Sequence, residues 1–275
     1  MKRAPAVAGM FYPDDPAALR AAVEEMYARA PKSALRGDVL GVVAPHAGYI
    51  YSGATAAAGY ATLAGREFDT VVIVAPSHRE YFRGISIYPG EAYVTPLGEV
   101  PVDAEMRGRM LASSSHVMAD VAGHREEHAI EVQLPFLQVG LPEFRLLPIV
   151  MGEQSRSYVR ELGRLLVEVA GAPRTLFIAS SDLSHYHSAR VADAIEQVLL
   201  EDVRKMDDES LMSDLEGGAT EACGGGPMVA VMQALKGVGA TRMEVIRHTN
   251  SGEITGEKKS VVGYLSAVGL SEAAG

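Results

Sequence analysis

The run TVVIVAPSH, Thr70–His78, carries apolar residues without interruption into a proline turn and a histidine. Such a run, rich in β-branched residues and without alternation, marks a strand covered on both faces. Two further stretches read alike: VLGVVAPH at 39–46 and TLFIASSDLSH at 175–185. FRLLPIVM at 144–151 supplies a fourth strand. Between them lie helical patterns. Pro16–Ala30 places Leu19, Val23, Met26 and Tyr27 on one face, with Asp15 as its cap, and Gly53–Ala64 is a helix of small residues. Tyr158–Ala170 carries Val159, Leu162, Leu166 and Val169 as a stripe, and helices follow near Ala189–Lys205, Ser210–Glu216 and Gly226–Lys236. The alternation predicts an α/β protein, a three-layer α/β/α sandwich in a single domain over residues 1–275. Its central sheet is mostly parallel and partly mixed, because the last two strands, MEVIRHT and SVVGYLSAVGL, are joined by a polar turn with no helix. Residues 85–102 read as short antiparallel strands, and Glu126–Val139 as a helix bent at Pro135.

Charge and cysteine content exclude several classes. The chain of 275 residues has 35 acidic and 25 basic side chains, a net charge of −10, which disfavours a nucleic-acid surface. One cysteine rules out an internal disulfide framework and fits a reducing, cytoplasmic setting. The N-terminal apolar run breaks at Pro13, Asp14 and Asp15, too soon for a secretory signal. Val39–Gly65 lacks charge but contains Pro45, His46 and several glycines, so no membrane span is expected.

Three of the buried strands end at histidines, and ligands in open α/β sheets bind beyond the carboxyl ends of strands. His46 and His78 are therefore candidate metal ligands, since neutral imidazole is the commonest ligand for transition metals. The alternative is that Pro45 and Pro76 merely end strands and each histidine bonds a nearby carbonyl. Cys223, in EACGGGPM ahead of an apolar helix, is the third candidate. A glycine-rich helix start lowers a thiol's pKa, and two histidines with a thiolate leave coordination positions open. In SSDLSHYH, a helical turn would put Asp182 and His185 on one side as orienting carboxylate and general base. The same segment also suits N-capping, with His187 solvated. In HREEHAIEVQLPF, Glu127, His128 and Glu131 share a helical face that spacing alone assigns to solvent. Neither a G-x-S-x-G elbow nor an early G-x-G-x-x-G is present.

Taken in order, AGMFYP, VVAPHAGYIYSG, VAPSH, EEHAIEVQLPF, SSDLSHYH and ACGGGP resemble the Memo family over nearly the whole chain. Microbial members are often called protein B of the AmmeMemoRadiSam system, beside an AMMECR1-like protein and a radical SAM protein, which the resemblance implies as partners. The family is related in fold to the class III extradiol, LigB-like dioxygenases, which hold non-haem Fe(II) through two histidines and a carboxylate. The resemblance thus implies His46, His78 and Cys223 as metal ligands and His185 with Asp182 as the catalytic pair. It also moves His128 and Glu131 to the pocket lining, and His187, close to His185, is counted with them. The resemblance makes Fe(II) the favoured ion, while a thiolate in place of the carboxylate is a softer ligand, which brings in Zn(II) or copper as alternatives. The implied activity is metal-dependent redox chemistry on a small aromatic or heteroaromatic substrate. A zinc hydrolase using the same site, and a non-catalytic scaffold binding a peptide or protein partner through the pocket, are the alternatives.

Overall fold

The computed structural model describes residues 1–31, 35–171 and 174–272. In chain order the elements are β1 (Lys2–Arg3), α1 (Pro16–Arg29), β2 (Val39–Ala44), α2 (Ala54–Tyr60), β3 (Thr70–Pro76), β4 (Ile85–Ile87), β5 (Ala92–Thr95) and β6 (Gly98–Pro101). Then come α3 (Ala104–Ser113), β7 (Val117–Ala119), α4 (Leu134–Gly140), β8 (Arg145–Met151), α5 (Arg156–Ala170), β9 (Thr175–Ser180) and β10 (His185–His187). The chain closes with α6 (Ala189–Lys205), α7 (Asp208–Gly217), α8 (Gly225–Gly237), β11 (Arg242–Asn250), α9 (Gly252–Thr255) and β12 (Val261–Leu270).

The main sheet runs β10-β12-β2-β9-β3-β8-β4-β7, with β11 paired to β12. Its centre, β2-β9-β3-β8, is parallel, while β12 and β4 join it antiparallel on either side. β3 shows why the layers form. Val72 and Val74 enter a core built with α5, α6 and α8, whereas Val71, Ile73 and Ala75 enter a second core with α1, α2 and α4. Period-2 side chains therefore need an apolar cover on each face, which explains the unbroken run in the sequence. The three-layer α/β/α sandwich and its mixed edges are as the sequence predicts.

Two expectations change. Residues 85–102 form the expected short strands but not in one sheet: β4 joins the main sheet, and the β5–β6 hairpin pairs with β1 in a separate three-stranded sheet. The segment 126–130 is not helical. Only a 3₁₀ turn at Glu131–Gln133 precedes α4. The buried Glu127 carboxylate accepts from the backbone N–H groups of His78, His128 and Ala129, and these bonds replace helical ones.

Candidate functional site

β2, β9 and β3 lie side by side and point the same way, with Ala44 beside Ser180 and Val74 beside Ala179. The residues that follow each strand therefore emerge at one rim: His46 after β2, Asp182 and His185 after β9, and His78 after β3. His128 reaches the same place from the turn ahead of α4. The ring centroids of His46, His78 and His128 are 4.9 to 5.3 Å apart. Each offers a nitrogen lying within 4.8 Å of the other two.

Hydrogen bonds fix how two of these rings face. Ser180 Oγ donates its proton to the Ala129 carbonyl at 2.7 Å, so at 2.9 Å it accepts from His46 Nδ1–H. That leaves His46 Nε2 as a lone pair. His78 Nδ1 donates to Glu127 Oε1 at 3.0 Å, so its Nε2 is likewise free. A carboxylate behind an imidazole in this way fixes the tautomer and strengthens the ring as a ligand. His128 Nδ1 is buried and has no hydrogen-bond partner, although Glu127 Oε1 lies 3.2 Å away. Burial pushes His46 down to about 3 and His128 down to about 4, helped by the neighbouring imidazoles. Burial opposes ionisation of Glu127, but His78 and then His128 prevail and hold it at about 2. Imidazole lone pairs, that of His46 Nε2 facing the Cys223 Sγ at 3.1 Å, backed by an ionised carboxylate, are the donor set of a divalent metal site, and an orphaned buried ring nitrogen fits that use.

Cys223 comes close but stands differently from expectation. Its Sγ is 3.1 Å from His46 Nε2, yet it is outside the mutually close set, in which His128 takes the third place. Its thiol is also not activated: burial, followed by the Asp182 carboxylate, pushes its pKa well up. Desolvation outweighs the pull of the helix start. Gly224 is what brings the thiol here. A Cβ on it would lie 2.4 Å from the Ser180 carbonyl, so only glycine lets the start of α8 press on the end of β9.

A cavity of about 670 Å³ opens over these rings. His46, His78, His128, Asp182 and His185 line it, together with Met10, Phe11, Tyr51, Tyr186, Glu257 and Tyr264 among others. No hydrogen bond joins Asp182 to His185. Asp182 Oδ1 instead accepts from the His46 backbone N–H at 2.8 Å, and burial raises its pKa. The expected helical turn is absent, because His185 begins strand β10 opposite Val262.

Glu131 and His187 lie outside the cavity lining. Glu131 is fully buried, pairs with Arg3 and accepts from Tyr12 Oη and from the N–H groups of Ala6 and Val7, at 2.7 and 3.0 Å. It anchors the N-terminal segment, and that segment brings Met10 and Phe11 to the cavity. Phe11 packs on His128 with centroids 4.9 Å apart. His187 binds Glu221 at 2.9 Å nearer the surface, while its neighbour Tyr186 lines the cavity. Sequence reasoning gave the buried Glu127 to solvent and missed Ser180 and Gln133, whose Nε2 donates to Ser180 Oγ at 2.8 Å. A buried carboxylate between two histidines was the signal for the first, hidden by the helical spacing assigned to that stretch.

Comparison with known proteins follows the same lines. A family model described as Memo-like protein matches residues 3–268. A MEMO1 family protein of Methanosarcina mazei is 40% identical over 275 residues, covering 97% of this chain and 98% of its own. One from Methanobrevibacter smithii is 35% identical over 280 residues, covering 98% and 99%. Among solved structures, an uncharacterized protein of Escherichia coli K12 aligns with a TM-score of 0.51 at 12% identity, covering 83% of this chain and 99% of that one, which speaks to the fold alone. No helix among the described residues is long and apolar enough to cross a membrane.

Proposed function

We propose that this chain, which belongs to the Memo family, binds one divalent metal through His46, His78 and His128 and acts on a small phenolic or heteroaromatic substrate in the adjoining cavity. The observation that carries this reading is the convergence of three imidazoles on the wall of a cavity that also holds His185. Fe(II) is the favoured ion, supplying electrons and open coordination positions for chemistry with O₂. The chain's own residues do the rest. Glu127 and Ser180 hold two of the imidazoles in one tautomer, and Phe11 and Tyr264 give the substrate ring apolar surface. His185 is placed to take a phenolic proton, and Asp182, bonded to the His46 backbone, steadies the rim between them.

Zinc-dependent hydrolysis is the second reading. The observation that favours it is a third imidazole, His128, beside His46 and His78, because three histidines with an open position also make a hydrolytic zinc site.

Anaerobic loading with Fe(II), then O₂ and a panel of catechols, tests the first reading. Substrate-dependent O₂ uptake that falls at least 100-fold in His185→Ala, with metal still bound, supports it. Stoichiometric metal with no substrate-dependent O₂ uptake overturns it, and ester or amide cleavage by the zinc-loaded protein then supports the second reading.

A further inference from the structure

The cavity is larger than one aromatic ring requires. An apolar space of about 150 Å³ is enough to hold benzene, whereas this cavity measures about 670 Å³. A single phenolic ring beside the imidazoles therefore leaves most of it unfilled. Phe11, packed on His128, and the buried Tyr264 line its inner part. Met10, Ile50, Tyr51 and Tyr186 line its outer part, and all four are exposed.

Exposed apolar side chains are concentrated at that mouth. Among the described residues eight large apolar side chains are exposed, and these four, with Met10 and Ile50 at 72% and Tyr186 at 76%, belong to the one cavity. Apolar groups scattered over a surface need no explanation, but a cluster bordered by polar residues marks a binding surface. Ser251, Thr255 and Ser260 supply that border. Two local features build the cluster. The Tyr49 backbone N–H donates to the Phe11 carbonyl at 2.8 Å, which ties the turn carrying Ile50 and Tyr51 to the segment carrying Met10. Tyr186 has φ 64°, in the left-handed region that a bulky residue rarely adopts. Its ring is held out at the mouth against that preference, as residues at ligand clamps are.

We propose that the substrate is an amphiphilic phenol, whose ring sits at the inner end beside the imidazoles and whose apolar substituent runs outward across Met10, Ile50, Tyr51 and Tyr186. This rests on the reading of the cavity as the site of a phenolic substrate, and it adds that the ring carries an apolar tail. The tail meets none of the imidazoles, so its contribution does not depend on the ion they hold or on the charge of the ring.

Isothermal titration of the full chain with 4-methylphenol, 4-butylphenol and 4-hexylphenol, with and without one equivalent of Zn(II), tests it. Full burial of a methylene strengthens binding roughly fourfold. A half-covered tail therefore makes 4-hexylphenol bind about 30-fold tighter than 4-methylphenol, with zinc or without it. Ile50→Ser reduces this gain about fivefold or more while 4-methylphenol binds as before, and Met10→Ser, in a separate segment, reduces the gain likewise. Tyr81→Ser, an exposed ring outside the lining, changes neither. If 4-hexylphenol binds no tighter than 4-methylphenol, if the gain vanishes with zinc bound, or if both serine variants at the mouth keep it, the tail assignment is wrong and the cavity reading stands. Sedimentation showing a dimer that Ile50→Ser disperses would give the mouth to a second copy and overturn it as well. If none of the three phenols binds in either metal state, both readings are overturned.

Discussion

Glu127 grips His78 twice: Oε1 sits 3.0 Å from the ring Nδ1 and Oε2 accepts from the same residue's backbone N–H at 2.6 Å. One carboxylate thus fixes both the position and the tautomer of a candidate ligand. Glu127→Gln keeps the shape but removes the charge behind the ring. It should weaken metal binding about 10- to 100-fold. Competition against a chromophoric chelator measures this, with circular dichroism to confirm the fold. An unchanged affinity would mean that Glu127 serves folding only.

Cys223 can be placed by counting protons. At pH 8 the His46 and His128 rings are already neutral, so they release none when metal binds. The thiol is held protonated by burial and would have to release one in order to coordinate. Zinc titrations in buffers of different ionisation enthalpy should show close to zero protons released. Release of one proton, abolished in Cys223→Ser, would restore the thiolate as a ligand.

The pair Arg3–Glu131 is buried on both sides, at 3% and 0% exposure. Removing one member leaves the other charge unpaired, at a cost of about 3–5 kcal/mol. Arg3→Met should lower the urea midpoint accordingly and loosen the segment that carries Met10 and Phe11. A shift equivalent to less than about 1 kcal/mol would show that the pair contributes no more than an exposed one.

Acid should destabilise the metal-free protein early. Burial lowers His46 to about 3, His124 to about 3 and His128 to about 4 in the folded state, from about 6.5 unfolded. Below pH 6.5 the unfolded chain takes up protons that the folded chain refuses, so stability is complete above that pH and falls as pH drops toward 3. Glu127, lowered from 4.5 to about 2, adds a further loss between those values. Urea midpoints at pH 7.5, 6, 5 and 4 should decline steadily below 6.5. A flat profile from 7 to 4 would contradict the burial of neutral imidazoles.

What was legible in the sequence followed from local physics. β3 is buried at every position, so its apolar run stood out, and a strand end in a parallel sheet is a site by topology. His46, His78 and the Asp182–His185 segment could therefore be placed at one rim before any coordinates. Helical spacing gives Glu127 and His128 to solvent, and only the family resemblance brings His128 to the pocket lining, because the backbone of this segment is held by a side chain instead of by its own turns. Arg3 and Glu131 are 128 residues apart, and a two-residue strand has no period to read. The state of Cys223 depended on how deeply the thiol sits, which a glycine-rich neighbourhood does not reveal.

Metal stoichiometry with X-ray absorption, on the wild type and on His46→Ala, His78→Ala and His128→Ala, addresses the central claim most directly. One ion per chain is predicted, with imidazole scattering at about 2.0–2.1 Å and at least tenfold weaker binding in each variant. A wild-type protein that retains no stoichiometric ion, or variants that all bind as tightly as it does, would contradict it.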